Sequence, residues 1–183
     1  LPRSDFAALL EPFRPLLLSG RLCHLVQTNA TLIDEGWCEL LREHKFRIGV
    51  SIDGPVWANA ERLDWAQRPT WQRTMRGIEA LKKAGLPFSV LAVVTEERLA
   101  DAQRLYDFFC ELGCERLGIL IEERLDNTRR RPLIQSLEVR CFWEELARAW
   151  KARPVLTITE LEMVHQFWEK PGLTADQKIR ANL

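Results

Sequence analysis

Short apolar runs alternate with amphipathic stretches along almost the whole chain, and this alternation constrains the fold more than any other feature. Runs at 22–26, 46–52, 88–94 and 117–121 read as strands. Between them lie segments with helical spacing. Residues 4–18 are one. Asp34 caps a second, carrying Ile33, Trp37, Leu40 and Leu41 on one face. Thr70 is placed to cap a third, with Trp71, Met75, Ile78 and Leu81 on its apolar stripe and Gly85 just past its end. Leu99, Leu105, Phe109 and Leu112 mark a fourth, stopped by Gly113; Ser136 opens a fifth through Val139, Phe142, Leu146 and Trp150. A short strand at 155–157 and a helix at 159–168 complete the pattern. Connections long enough to hold a helix join parallel strands, so the expected class is α/β. A doubly wound sheet and part of a barrel both satisfy that pattern.

The remaining bulk properties exclude several classes. The chain has 183 residues, enough for one domain, and 26 basic against 26 acidic residues. A formal net charge of zero removes the global electrostatic case for nucleic acid or an anionic membrane. No apolar run approaches the ~20 residues that span a bilayer, so no membrane partner is expected. Five irregularly spaced cysteines do not form a disulfide framework and fit reduced thiols in the cytoplasm. Leu1 opens the chain with neither a methionine nor a leader, so the start is expected to be a cut end.

In parallel α/β folds, functional groups collect at the C-terminal ends of strands. Here these ends are polar: Gln27-Thr28-Asn29, Ser51-Ile52-Asp53-Gly54-Pro55, Thr95-Glu96-Glu97 and Glu122-Glu123-Arg124. The period of two puts Gly49, Ser51 and Asp53 on one face and Ile48, Val50 and Ile52 on the other. The branched face suits helices; the first would then face a barrel interior, where Gly49 leaves room for a ligand. Asn29 and Asp53-Gly54-Pro55 are equally the residues of ordinary strand-to-helix turns.

Three motifs in order, Gln27-Thr28-Asn29-Ala30-Thr31-Leu32, Val50-Ser51-Ile52-Asp53-Gly54-Pro55 and Met75-Arg76-Gly77-Ile78, resemble the central barrel of radical SAM peptide-modifying enzymes with a Cys-rich SPASM extension. Anaerobic sulfatase maturases and cyclophane-forming peptide maturases belong to that subgroup. Glu122-Glu123 and Arg180-Ala181-Asn182-Leu183 resemble the cyclophane-forming members more closely.

The resemblance implies a partial parallel (β/α) barrel, here lacking its first strands. It implies S-adenosyl-L-methionine bound beside a [4Fe-4S] cluster, with a 5′-deoxyadenosyl radical abstracting hydrogen from a ribosomally made precursor peptide before cross-linking or oxidation. It also implies a reducing electron-transfer protein as partner. By the same resemblance, Ser51 and Arg62 hold the methionine carboxylate, and a guanidinium fork with a hydroxyl is sound chemistry for that task. A solvated loop cation is the other reading of Arg62. Gln27, Asn29 and Asp53 are further cofactor-side candidates, and Glu123 a substrate-side one. The catalytic residue is not identifiable.

Two departures stand against the family pattern. The chain has no Cys-x₃-Cys-x₂-Cys loop and no Gly-Gly-Glu motif. Cys110 and Cys114 have the first spacing, but position 117 is Leu117, and the pair falls at a helix end, where packing explains it better than ligation. Residues 1–183 are therefore expected to be the central and C-terminal part of such a barrel, with the cluster-binding part and the SPASM extension outside it and no activity alone. The competing expectation is a non-catalytic barrel that binds a peptide or partner protein. His24, His44 and His165 are dispersed, lack ligand spacing and read as structural or exposed. Arg129-Arg130-Arg131 is either a dock for an acidic peptide or a solvated run. Trp57 and Trp65, in the loop after Asp53, either touch substrate or plug the loop onto the barrel.

Overall fold

The computed structural model describes residues 2–122 and 136–169. Within them, five parallel strands form one sheet: β1 Leu25–Thr28, β2 Arg47–Ser51, β3 Phe88–Val94, β4 Arg116–Ile121 and β5 Thr157–Ile158. Their spatial order is β1-β2-β3-β4-β5, the order of the chain. That order separates the two architectures left open by the sequence. Right-handed crossovers that always step the same way put every helix on the same face, whereas a doubly wound sheet reverses direction. The sheet is singly wound and open, and its other face is a concave lumen.

The helices are α1 Arg3–Leu10, α2 Arg14–Leu18, α3 Glu35–Glu43, α4 Trp71–Lys83, α5 Ala102–Leu112, α6 Leu137–Ala152 and α7 Thr159–Glu169. None is long and apolar enough to cross a membrane. Side chains from the covered face of the sheet, Ile48, Val50, Val90, Ala92 and Leu117, are buried against Leu41, Ile78, Leu81, Tyr106, Phe109 and Phe142 of the helices. Alternation is cleanest in β3, where residues 88, 90, 92 and 94 are buried and the odd positions are half-buried. Asp34 caps α3 by accepting the Trp37 N–H at 2.9 Å, and Ser136 caps α6 through the Val139 N–H at 3.2 Å.

Several expectations are corrected. Residues 4–18 do not form one helix: Pro12 and Pro15 lack the N–H an α-helix needs, and a 3₁₀ turn at Glu11–Phe13 separates α1 from α2. The first strand starts at Leu25, later than its apolar run, because pairing with β2 begins at Arg47. Thr70 precedes α4 without a side-chain cap, since its Oγ1 donates instead to the Arg62 carbonyl at 2.9 Å. His24 and His44 are not dispersed. Their ring centroids lie 6.3 Å apart, His44 is buried, and His24 stacks on Phe46 at 4.9 Å below the start of β1.

The three motifs acquire structural reasons. Thr74 of α4 donates to the Asn29 carbonyl at 2.9 Å, and a Cβ on Gly77 would collide with the Ala30 carbonyl. Gly77 therefore lets α4 lie directly on the loop after β1. Gly54 has φ +139°, a backbone that L side chains rarely adopt, where the chain turns sharply away from β2.

Candidate site at the strand ends

The C-terminal ends of β1 and β2 and the loop after β2 converge on a polar network. Gln27 lies on the concave face, paired in register with Gly49. Its Nε2 donates to Ser51 Oγ at 2.8 Å. The room beside Gly49 is consequently not open to a ligand: a Cβ there would strike the Gln27 amide. Ser51 accepts from Gln27, so its own hydroxyl proton remains for another acceptor.

Asp53 follows β2. Its Oδ1 accepts the Val93 N–H at 2.8 Å and Arg62 Nη2 at 2.6 Å; its Oδ2 accepts Arg62 Nε at 2.5 Å. The carboxylate thus continues the β2–β3 ladder where the β2 backbone turns away, and it grips the guanidinium bidentately. The Asp53 side chain is 12% exposed and that of Arg62 27%, so this pair is shielded from water more than an ordinary surface bridge. Asp53 and Arg62, two separate ligand candidates in the sequence, are each other's partners here.

Asn59 holds the loop in place. It is buried at the end of a 3₁₀ turn at Val56–Asn59; its Oδ1 accepts the Asp53 N–H at 2.9 Å, and its Nδ2 donates to the Gly54 and Pro55 carbonyls at 2.5 and 2.8 Å. From Arg62 the chain runs into a hairpin closed by a Leu63–Pro69 bridge and by two hydrogen bonds from Thr70 to the Arg62 carbonyl. Asp64 organises its tip. The Arg68 N–H, helped by the Arg73 and Arg68 side chains and the Ala66 N–H, holds its carboxyl down to about 2 from an ordinary 3.8. Trp65 projects from this tip, 92% exposed.

Other candidates take simpler places. The Asn29 carboxamide oxygen accepts from the Thr31 N–H and hydroxyl, which is turn chemistry. Trp57 plugs the loop, its ring lying under Arg104 and Arg98 at 4.4 and 5.0 Å and its carbonyl accepting from Arg98. Beside it, a cavity of about 340 Å³ opens between Asp53, Trp57, Val93, Thr95 and Arg98. Glu123, Arg129-Arg130-Arg131 and Arg180-Ala181-Asn182-Leu183 lie outside the described residues.

Glu160, which nothing in the sequence singled out, enters the lumen from the first turn of α7. Its Oε2 is buried without a hydrogen-bond partner, and its carboxylate stands by Gly118, across a cavity of about 230 Å³ from Gln27 and Leu91. Leaving such an atom unpaired costs about 1–3 kcal/mol, a cost that a donor brought by a ligand can offset.

The cysteines do not fit an iron–sulfur cluster. All five are unpaired thiols. Burial pushes Cys114 up to about 12, its thiol donating to the Phe109 carbonyl just before β4, at the opposite end of the sheet from Ser51. Burial also raises Cys38, inside the α3 packing. No group of three metal-ligating side chains exists among the described residues.

Comparison with known proteins agrees with this geometry. The family model described as the radical SAM superfamily matches residues 3–109. The serine-type anaerobic sulfatase-maturating enzyme of Klebsiella aerogenes is 41% identical over 93 residues, covering 50% of this chain and 23% of that protein. Its counterpart in Bacteroides thetaiotaomicron is 39% identical over 114 residues, 62% of this chain and 28% of that protein. In structure, native anSMEcpe with bound AdoMet and Cp18Cys peptide superposes with a TM-score of 0.80 at 23% identity. The match covers 92% of this chain and 49% of that one, and it shows the shared open-barrel fold. The chain thus spans about half of that structure and about a quarter of the curated relatives it matches.

Proposed function

The chain belongs to the radical SAM superfamily, and from that premise we propose that it forms the central barrel of an enzyme that modifies a ribosomally made precursor peptide. The observation that carries the reading is the pair of donors at the β2 end. Ser51 keeps a hydroxyl proton free because Gln27 satisfies its oxygen, and Arg62 is held by Asp53 in the loop that β2 feeds. Together they suit the methionine carboxylate of S-adenosyl-L-methionine. In the superfamily that cofactor supplies hydrogen-abstracting power once reduced by a neighbouring cluster.

This chain's own residues do the holding. Gln27 orients Ser51, Asn59 fixes the loop, and Asp53 fastens Arg62 to β3. The lumen beyond Ser51 receives the peptide, where the unpaired Oε2 of Glu160 accepts a donor from it. Glu123, outside the described residues, remains a substrate-side candidate on the strength of the resemblance alone. The relatives support a peptide substrate, since two are sulfatase-maturating enzymes and a third fold neighbour was solved with a peptide.

The spacing and burial of the five thiols do not suit a cluster, so we propose that the [4Fe-4S] ligands are residues other than these 183, with electrons from a reducing protein. Five free thiols also accord with a cytoplasmic location.

Calorimetric titration of the protein with S-adenosyl-L-methionine tests the reading. Binding is expected, with affinity lowered at least tenfold in Ser51→Ala, about the worth of a hydrogen bond to a charged group. Absent binding in the unaltered protein removes the cofactor site and leaves a barrel that binds a peptide or partner protein without catalysis.

A further inference from the structure

We propose that Asp53 is the positioning residue of the carboxylate clamp: it does not touch the cofactor but fixes which edge of the Arg62 guanidinium faces it. This rests on the reading above that Ser51 and Arg62 receive the methionine carboxylate.

A guanidinium has five N–H donors in a plane, arranged as two edges that can each meet a carboxylate at two points. Asp53 occupies one edge, taking the Nε and one Nη2 hydrogen. The second edge, formed by Nη1 and the other Nη2 hydrogen, keeps its donors, and the side chain is still 27% exposed. Asp53 cannot swing with the loop, because its Oδ1 also accepts the N–H of Val93 in β3 and its own N–H is held by Asn59. The Arg62 backbone is fixed in turn by the Thr70 N–H and hydroxyl on its carbonyl. Both ends of a long, rotamer-rich side chain are therefore fixed, the guanidinium to the sheet through Asp53 and the backbone to Thr70 before α4, which lowers the ordering cost of binding. The pair is electrically neutral, so it presents an acidic ligand with directed donors rather than a free cation. Asp53 lies two residues beyond Ser51, just past the end of β2, and in the proposed clamp the free edge and the Ser51 hydroxyl hold the same carboxylate.

The inference separates shape from charge. Asp53→Asn removes a negative charge near an anionic ligand, which by simple Coulomb reasoning tightens binding. If positioning dominates, binding weakens instead, because Asn offers one acceptor to Val93 and turns an N–H₂ toward Arg62.

The experiment is calorimetric titration of the protein and its variants with S-adenosyl-L-methionine and, in parallel, with its decarboxylated form. Asp53→Asn is expected to lose about tenfold in affinity for the first and less than twofold for the second. Arg62→Lys, which keeps the charge but has no second edge, loses about the same, and adding Asp53→Asn to it costs nothing further. A ligand-free signature accompanies this: with isotope-labelled arginine, the Arg62 Nε–H signal exchanges slowly in the unaltered protein and fast in Asp53→Asn.

Tighter or unchanged binding overturns the inference. Equal losses with both ligands assign Asp53 to the fold alone, and additive losses show that it does not act through Arg62. If the unaltered protein binds neither ligand, the functional reading fails first; a slow Nε–H signal then marks the pair as a fold contact and ends the clamp role.

Discussion

Asn59 carries more of the site than its side chain advertises. One carboxamide bonds three backbone groups in the turn that follows β2; the Gly54 and Pro55 carbonyls also accept from Trp71 Nε1 and the Ala58 N–H, whereas the Asp53 N–H relies on Asn59. Asn59→Ala is expected to lower stability by about 2 kcal/mol, the cost of stranding the Asp53 N–H and losing two further hydrogen bonds, and to loosen Asp53 with it. Urea unfolding checks the first part, and a shift in midpoint of no more than experimental error would contradict it. The individual ingredients of this site were visible in the sequence: polar residues at strand ends, Ser51, Asp53 and Arg62. Their pairing was not. Asp53 and Arg62 meet because a 3₁₀ turn at Val56–Asn59 folds the chain back, and that turn depends on hydrogen bonds to Asn59 that have no periodic signature. Glu160 was invisible for a related reason. It follows β5, a strand of two residues, too short to announce the face on which the next side chain falls.

Among the elements, the strands and helix stops were the most legible. The apolar run at 88–94 is β3 residue for residue, and Gly113 ends α5 in the left-handed region at φ 79°. Helix breaks caused by proline and the hairpin at 62–70 were read less well, because a run of helical spacing masks a missing N–H and the hairpin has no alternation. That hairpin has a pH dependence of its own. Asp64 is depressed from 3.8 to about 2, by the Arg68 N–H first and then by Arg73, Arg68 and Ala66. A depressed carboxyl contributes stability that is complete above its unfolded value and lost as pH falls through its folded one. The difference in urea midpoint between the unaltered protein and Asp64→Asn is therefore expected to stay constant from pH 7 to 5. It should then shrink as pH falls from about 4 to 2. A difference that persists undiminished to pH 2 would show that Asp64 does not titrate with the hairpin's stability.

At the scale of the whole molecule, alternation predicted α/β layering but not its winding, since identical strand–helix pairs build either a doubly wound sheet or a barrel. The winding resides in strand order, which is set by which edge each crossover joins. A singly wound sheet covers one face only, and the open face here is not uniformly polar. Leu25 is 73% exposed and Leu120 52%, with Leu91 half-buried between them on the concave side. The outer edge of β1 has no strand beside it among the described residues, and an unpaired edge next to apolar surface favours association. Net charge offers no opposition, being zero with a pI of about 7.0. The 183-residue polypeptide on its own is therefore expected to sediment as dimers or larger species at micromolar concentration. Leu120 lies on the open face and away from the β1 edge, so Leu120→Lys separates the lumen-face route from the β1-edge route. A shift toward monomer assigns association to the lumen face that the proposed function reserves for the peptide. An unchanged distribution refutes that and points to the β1 edge, which Leu25→Lys would then block.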